Sequence, residues 1–170
     1  MNRQGACLVV ADESAEFPAA LVYSALLAKS VGWRLIMLHV IEPAEPAPWA
    51  SVSEEMKRQE WAAAESLTLS FAAQAKAECG VQAECVIREG ELRPEVRRLI
   101  EEEAAIKLVV LASAPGGGGP GPLVSSLAKG HGVAGPSSRA VPVLVVPGLT
   151  EMDEIRALAL PQEKAKQPSP

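Results

Sequence analysis

Short apolar runs and stretches of helical periodicity take turns along the chain. Residues 6–11, ACLVVA, are an unbroken apolar run between polar neighbours, the pattern of a strand buried on both faces. From 16 to 31, Phe17, Leu21, Ser24/Ala25, Ala28 and Val31 recur at helical spacing. Pro18 suits the first turn of that helix, Ser14 is placed to cap it, and Gly32 stops it. Residues 33–41, WRLIMLHVI, read as a second strand. Residues 42–50 hold three prolines and read as an exposed loop. A long helix is expected from Ser51 or Ser53 to Gly80, with Trp61, Ala64, Leu67/Thr68, Phe71 and Ala75 as its buried stripe.

The second half repeats the alternation. Residues 81–87, VQAECVI, are a third strand. Gly90 turns the chain, and a helix after Pro94 is expected to turn Val96, Leu99/Ile100 and Ala104 inward. Its other face, Arg97, Arg98 and Glu101–Glu103, reads as solvated. Residues 106–112, IKLVVLA, are a fourth strand. SAPGGGGPGP (113–122) is a loop by composition, LVSSLAK (123–129) a short helix, and GHGVAGPSS (130–138) a second loop. Residues 141–146, VPVLVV, are a fifth strand, which Pro142 assigns to an edge or to its own start. Thr150 and Asp153 are spaced as a capping box for a helix near 151–160, and QEKAKQPSP beyond it has the composition of a disordered end.

Strands alternating with helices imply a parallel sheet, and right-handed crossovers wind it in both directions. The expected fold is therefore α/β, a doubly wound five-stranded parallel sheet with helices on both faces. Residues 1–148 form the domain and 149–170 a tail. Composition agrees: 48% of residues are hydrophobic but only 4% aromatic, so the core is built from Ala, Val, Leu and Ile.

Charge and cysteine usage narrow the function. A net charge of −5, with no basic cluster interleaved with aromatics, argues against a nucleic-acid partner. Cys7, Cys79 and Cys85 are odd in number and fit no zinc spacing, so reduced structural thiols are expected. No apolar run approaches the ~18 residues of a membrane span. Asn2, Arg3 and Gln4 lead straight into the first strand without a signal peptide, so no membrane partner and a cytoplasmic location are expected.

Ligands of doubly wound sheets bind beyond the carboxyl ends of the strands. Asp12, at the tip of the first strand, could there accept hydrogen bonds from a ribose or base. Alternatively, Asp12 or Ser14 only caps the first helix. For catalysis the chain offers little. His39 reads as a core or rim residue and His131 as exposed. No spacing gives Ser125, Ser126, Ser137 or Ser138 an activating partner, so these serines read as phosphate contacts or helix caps. A flavodoxin-like carrier is excluded because the turn after the first strand, ADESAE, is acidic and glycine-free.

Several stretches together resemble the universal stress protein family, over roughly residues 5–147. They are LVVADESAEFPAAL, LIMLHVIEP (35–43), REGELRPEVRRLIEEEAAIKLVVLAS (88–113) and VPVLVVP (141–147). The resemblance implies a homodimer paired through the last strand, here Val141–Val146. It also implies an ATP or AMP site, with Mg²⁺ accompanying ATP, at the first-strand Asp, the end of the second strand and a loop Gly-x2-Gly-x9-Gly-Ser/Thr after the fourth. By position Ala11, Asp12 and Val40 match the first two elements, and Ser113 opens the loop.

The loop departs from the family's pattern. Without gaps, its three glycines fall on Ala112, Pro115 and Ser125, and only Ser126 fits. With an insertion, Gly118 and Gly121 satisfy Gly-x2-Gly, but His131 then stands for the third Gly, with Gly130 and Gly132 beside it. Proline lacks the N–H, and a side chain blocks the close approach, that a phosphate needs. GGGG at 116–119 could form a different nest or a floppy linker. No lysine lies in the loop, so it is not a Walker-type loop. The expectation is a non-enzymatic regulatory protein with an unidentified protein partner and weak or no ATP binding. The alternative is an ATP/AMP switch using Asp12, Val40 and the 113–138 loop.

Overall fold

The computed structural model describes residues 5–43, 50–115, 120–133 and 139–159. The elements are β1 (Ala6–Ala11), α1 (Phe17–Val31), β2 (Arg34–Ile41), α2 (Ala50–Cys79), β3 (Ala83–Glu89), α3 (Leu92–Glu102), β4 (Ile106–Ser113), α4 (Pro122–Ala128), β5 (Val143–Pro147) and α5 (Met152–Ala159). All strands are parallel, in the order β3-β2-β1-β4-β5. The chain runs from β1 outward to β3, then returns to β4 and β5 on the other side of β1. The switch point lies between β1 and β4.

Alternation along β1 divides the core. Cys7, Val9 and Ala11 face one apolar cluster with α1, α2 and α5, while Ala6, Leu8 and Val10 face the other with α3 and α4. Helix α1 contacts both α2 and α5. That explains its sequence: a helix flanked on both sides as well as beneath is apolar nearly all round. Gly32 (φ 71°) and Gly80 (φ 69°) end α1 and α2 in the left-handed conformation.

Several local expectations are corrected. Ser14 does not cap α1: the residue before the helix is Glu16, and no side chain caps it. Trp61 is exposed, whereas Ala64, Thr68 and Ala75 are buried. The third strand starts at Ala83, two residues later than periodicity suggests. Pro94 lies inside the first turn of α3 rather than before it. Ala104 lies beyond α3 and is exposed, while Glu103, expected in solvent, pairs with Arg34 at 2.8 Å. The last strand is Val143–Pro147, so Val141 and Pro142 precede it. Helix α5 starts at Met152, one residue later than a cap at Thr150 requires. It is no loose appendage, since Ile155 is fully buried in the α1 cluster. The expected loop at 44–49, the GGGG stretch, residues 134–138 and the chain beyond 159 lie outside the described residues. No helix among the described residues is long and apolar enough to cross a membrane.

Candidate functional site

The carboxyl ends of β1, β2 and β4 open into a cleft of about 330 Å³. That lies at the low end of the range for small-molecule sites. Val10, Val40 and Leu111 come from the strand tips, Leu92 from the start of α3, and Leu123 and Val124 from α4. These side chains give the cleft an apolar lining. Asp12, Glu13 and Glu42 bring carboxylates to its mouth. All three are exposed.

Asp12 is the first residue beyond β1. Its Oδ1 accepts the Ser14 N–H at 2.9 Å, a side-chain turn that leads the backbone away from the sheet. Asp12 therefore caps the turn rather than the helix, and Oδ2 is left for another partner. His39 is half-buried on β2, with Nδ1 3.2 Å from the Ala11 carbonyl. A carbonyl only accepts, so this hydrogen bond requires the proton on Nδ1. It ties β2 to the last residue of β1, beside Asp12.

The wall after β4 is made of Pro120, Gly121 and Pro122. Gly121 has φ 92°, which a side chain would strain. Its carbonyl accepts the Ser125 N–H at 2.9 Å, which closes the first turn of α4. Pro122 stands at the start of that helix, which has seven residues.

Of the expected site residues, Ala11, Asp12, Val40 and Gly121 converge on the cleft. Ser113, Ser125 and Ser126 do not line it. Ser113 ends β4, where its carbonyl accepts the Gly148 N–H at 2.9 Å. Ser126 is buried on α4, and its hydroxyl has no partner among the described residues. Gly118 lies outside the described residues. Sequence reasoning missed Glu13, Glu42 and Leu92. Each lies within three residues of a strand's carboxyl end, so the rule that singled out Asp12 could have found them. Among the described residues, no group of His, Cys, Asp and Glu is arranged to hold a metal ion.

Buried thiols lie away from the cleft. Burial pushes the Cys7 thiol up to about 12 and raises Cys79, while the exposed Cys85 is raised by partial desolvation of its sulfur.

A doubly wound parallel sheet with a cleft at its switch point defines an α/β domain of the kind whose ligands, where bound, sit beyond the carboxyl ends of the strands. The chain belongs to the universal stress protein family, whose model matches residues 5–130. Among solved structures it is similar to the universal stress protein UspA from Lactobacillus plantarum. The identity is 19% and the TM-score 0.67, over 86% of this chain and 99% of that one. A universal stress protein family protein from Arabidopsis thaliana with AMP bound is 18% identical, with TM-score 0.56 over 88% of this chain and 94% of that one. The universal stress protein from Archaeoglobus fulgidus in complex with dAMP is 14% identical, with TM-score 0.55 over 83% and 96%. At these identities the likeness is one of fold. No curated protein matches the chain significantly.

Proposed function

We propose that this protein is a non-enzymatic regulatory member of its family, homodimeric and cytoplasmic, whose cleft holds adenine nucleotides weakly. One observation carries the reading. In the wall Pro120-Gly121-Pro122, two of three consecutive residues have no N–H to offer a phosphate. Ser125 and Ser126, which the family pattern would set against the phosphates, do not line the cleft. Nor do the described lining residues include Ser, Thr, Cys or Lys, so no hydroxyl, thiol or amine is at hand for covalent catalysis. The dimer reading is supported by β5, an edge strand whose Val145 is 37% exposed.

The test is thermal melting with ATP, ADP and AMP, with and without Mg²⁺. A ligand at 100 times its Kd adds about 2.7 kcal/mol. Millimolar ATP is expected to fall well short of that, and no phosphate should be released from it. A large saturable shift, abolished by Asp12→Ala, would replace this reading with that of a nucleotide switch using Asp12, Val40 and the 113–138 loop. The AMP- and dAMP-bound relatives favour that second reading. A monomer mass by light scattering at micromolar concentration would overturn the dimer.

A further inference from the structure

We infer that the cleft selects an uncharged adenine nucleoside over its phosphorylated forms. The inference rests on the adenine-ligand reading above and adds a choice within it. Asp12, Glu13 and Glu42 all reach the cleft's lining, and no Lys or Arg does so among the described residues. A phosphate entering this mouth meets like charge on every titrating lining group except His39. The Nδ1 of His39 is already engaged by the Ala11 carbonyl.

A nucleoside meets the same groups differently. Its planar base suits apolar walls such as Val40, Leu111 and Leu123. Its ribose hydroxyls are donors, and a carboxylate is an acceptor only. Asp12 keeps Oδ2 for such a bond while Oδ1 holds the Ser14 N–H. The acidic mouth thus favours the sugar and opposes the phosphate.

Repulsion between exposed charges is screened over about 10 Å at 0.1 M salt. Charge selection therefore has a signature that shape selection lacks. Calorimetric titration of the full chain with adenosine, AMP and ATP, at low and high salt, with and without Mg²⁺, reads it directly. Adenosine should bind with an affinity that salt leaves unchanged. AMP should bind on the order of tenfold more weakly at low salt, and the gap should narrow as salt rises. The double variant Glu13→Gln/Glu42→Gln should narrow the ratio of adenosine to AMP affinity at low salt. Both positions are exposed, so the variant is expected to fold.

AMP or Mg²⁺–ATP binding more tightly than adenosine would overturn the inference and leave an adenine-nucleotide site standing. A gap that neither salt nor the double variant narrows would overturn it in favour of shape. Absence of binding by all of these ligands at millimolar concentration would overturn the adenine-ligand reading itself.

Discussion

The α-carbon of Gly148 lies against the side chain of Glu16. A methyl group on Gly148 would stand 2.7 Å from Glu16 Cβ and 3.2 Å from the Ser113 carbonyl oxygen. The contact joins three segments: the turn after β1, the end of β4 and the approach to α5. The Gly148 N–H bond to Ser113, at 2.9 Å, holds the same junction. Gly148→Ala must therefore move backbone as well as a flexible side chain. We expect it to destabilise the protein by roughly 1–3 kcal/mol, the usual cost of overpacking, in a urea unfolding titration. A neutral effect would mean that the junction gives way freely.

Helix α5 should unfold with the domain. Ile155 is fully buried in the cluster that also holds Val110 of β4 and Val146 of β5. Ile155→Ala should cost about 2–5 kcal/mol by the cavity it leaves. A loss below ~1 kcal/mol would show that α5 opens on its own, separately from the sheet.

The three thiols should label in an order set by access. Cys85 is exposed, whereas Cys7 and Cys79 are buried. With its pKa near 12, Cys7 carries almost no thiolate at neutral pH. Timed alkylation read by mass spectrometry should modify Cys85 first and Cys7 only on unfolding. Early modification of Cys7 would contradict its place in the core.

Acid should weaken one tie across the amino-terminal end of the sheet. Arg34 donates to Glu84 and to Glu103, both at 2.8 Å. The Arg34 hydrogen bond, and then the Ala105 N–H, hold the Glu103 carboxyl below its usual range. A lowered folded pKa means a contribution present above the unfolded value of about 4.3 and lost as pH falls through the folded one. Because the pair is partly solvated, its worth is ~0.5–1 kcal/mol. Glu103→Gln should flatten the acid limb of the stability–pH curve by that amount and make the protein less stable at pH 7. An unchanged acid limb would assign the pH dependence to other carboxylates.

Much of the fold was legible because its signals are local. ACLVVA needs both faces covered, and β1 is the central strand, covered on both. FPAALVYSALLAKSV is apolar nearly all round, and α1 lies between two helices. The misreadings arose where tertiary contact overrides pattern. Trp61 continues the periodic stripe of α2, yet it is exposed where Ala64 and Thr68 of the same helix are buried. Glu103 sits in an acidic run that looks solvated, yet the turn after α3 brings it to Arg34, 69 residues away in sequence.

The site divides in the same way. Asp12 could be singled out from sequence because a polar residue ending a buried strand leaves the sheet at a defined edge. Which residues share the cleft with it was not local information. Glu42, Leu92 and Gly121 follow three different strands, and only the order β3-β2-β1-β4-β5 makes their strand ends neighbours. Ser125 and Ser126 match or neighbour a motif position, but helical geometry turns them away from the opening. By itself the sequence determined the alternation of strand and helix, and so the sheet, because side-chain periodicity is a property of neighbouring residues. The tertiary structure alone decided which carboxylates, prolines and apolar side chains meet at the switch point. That choice depends on crossover direction and strand register, which join residues far apart in the chain.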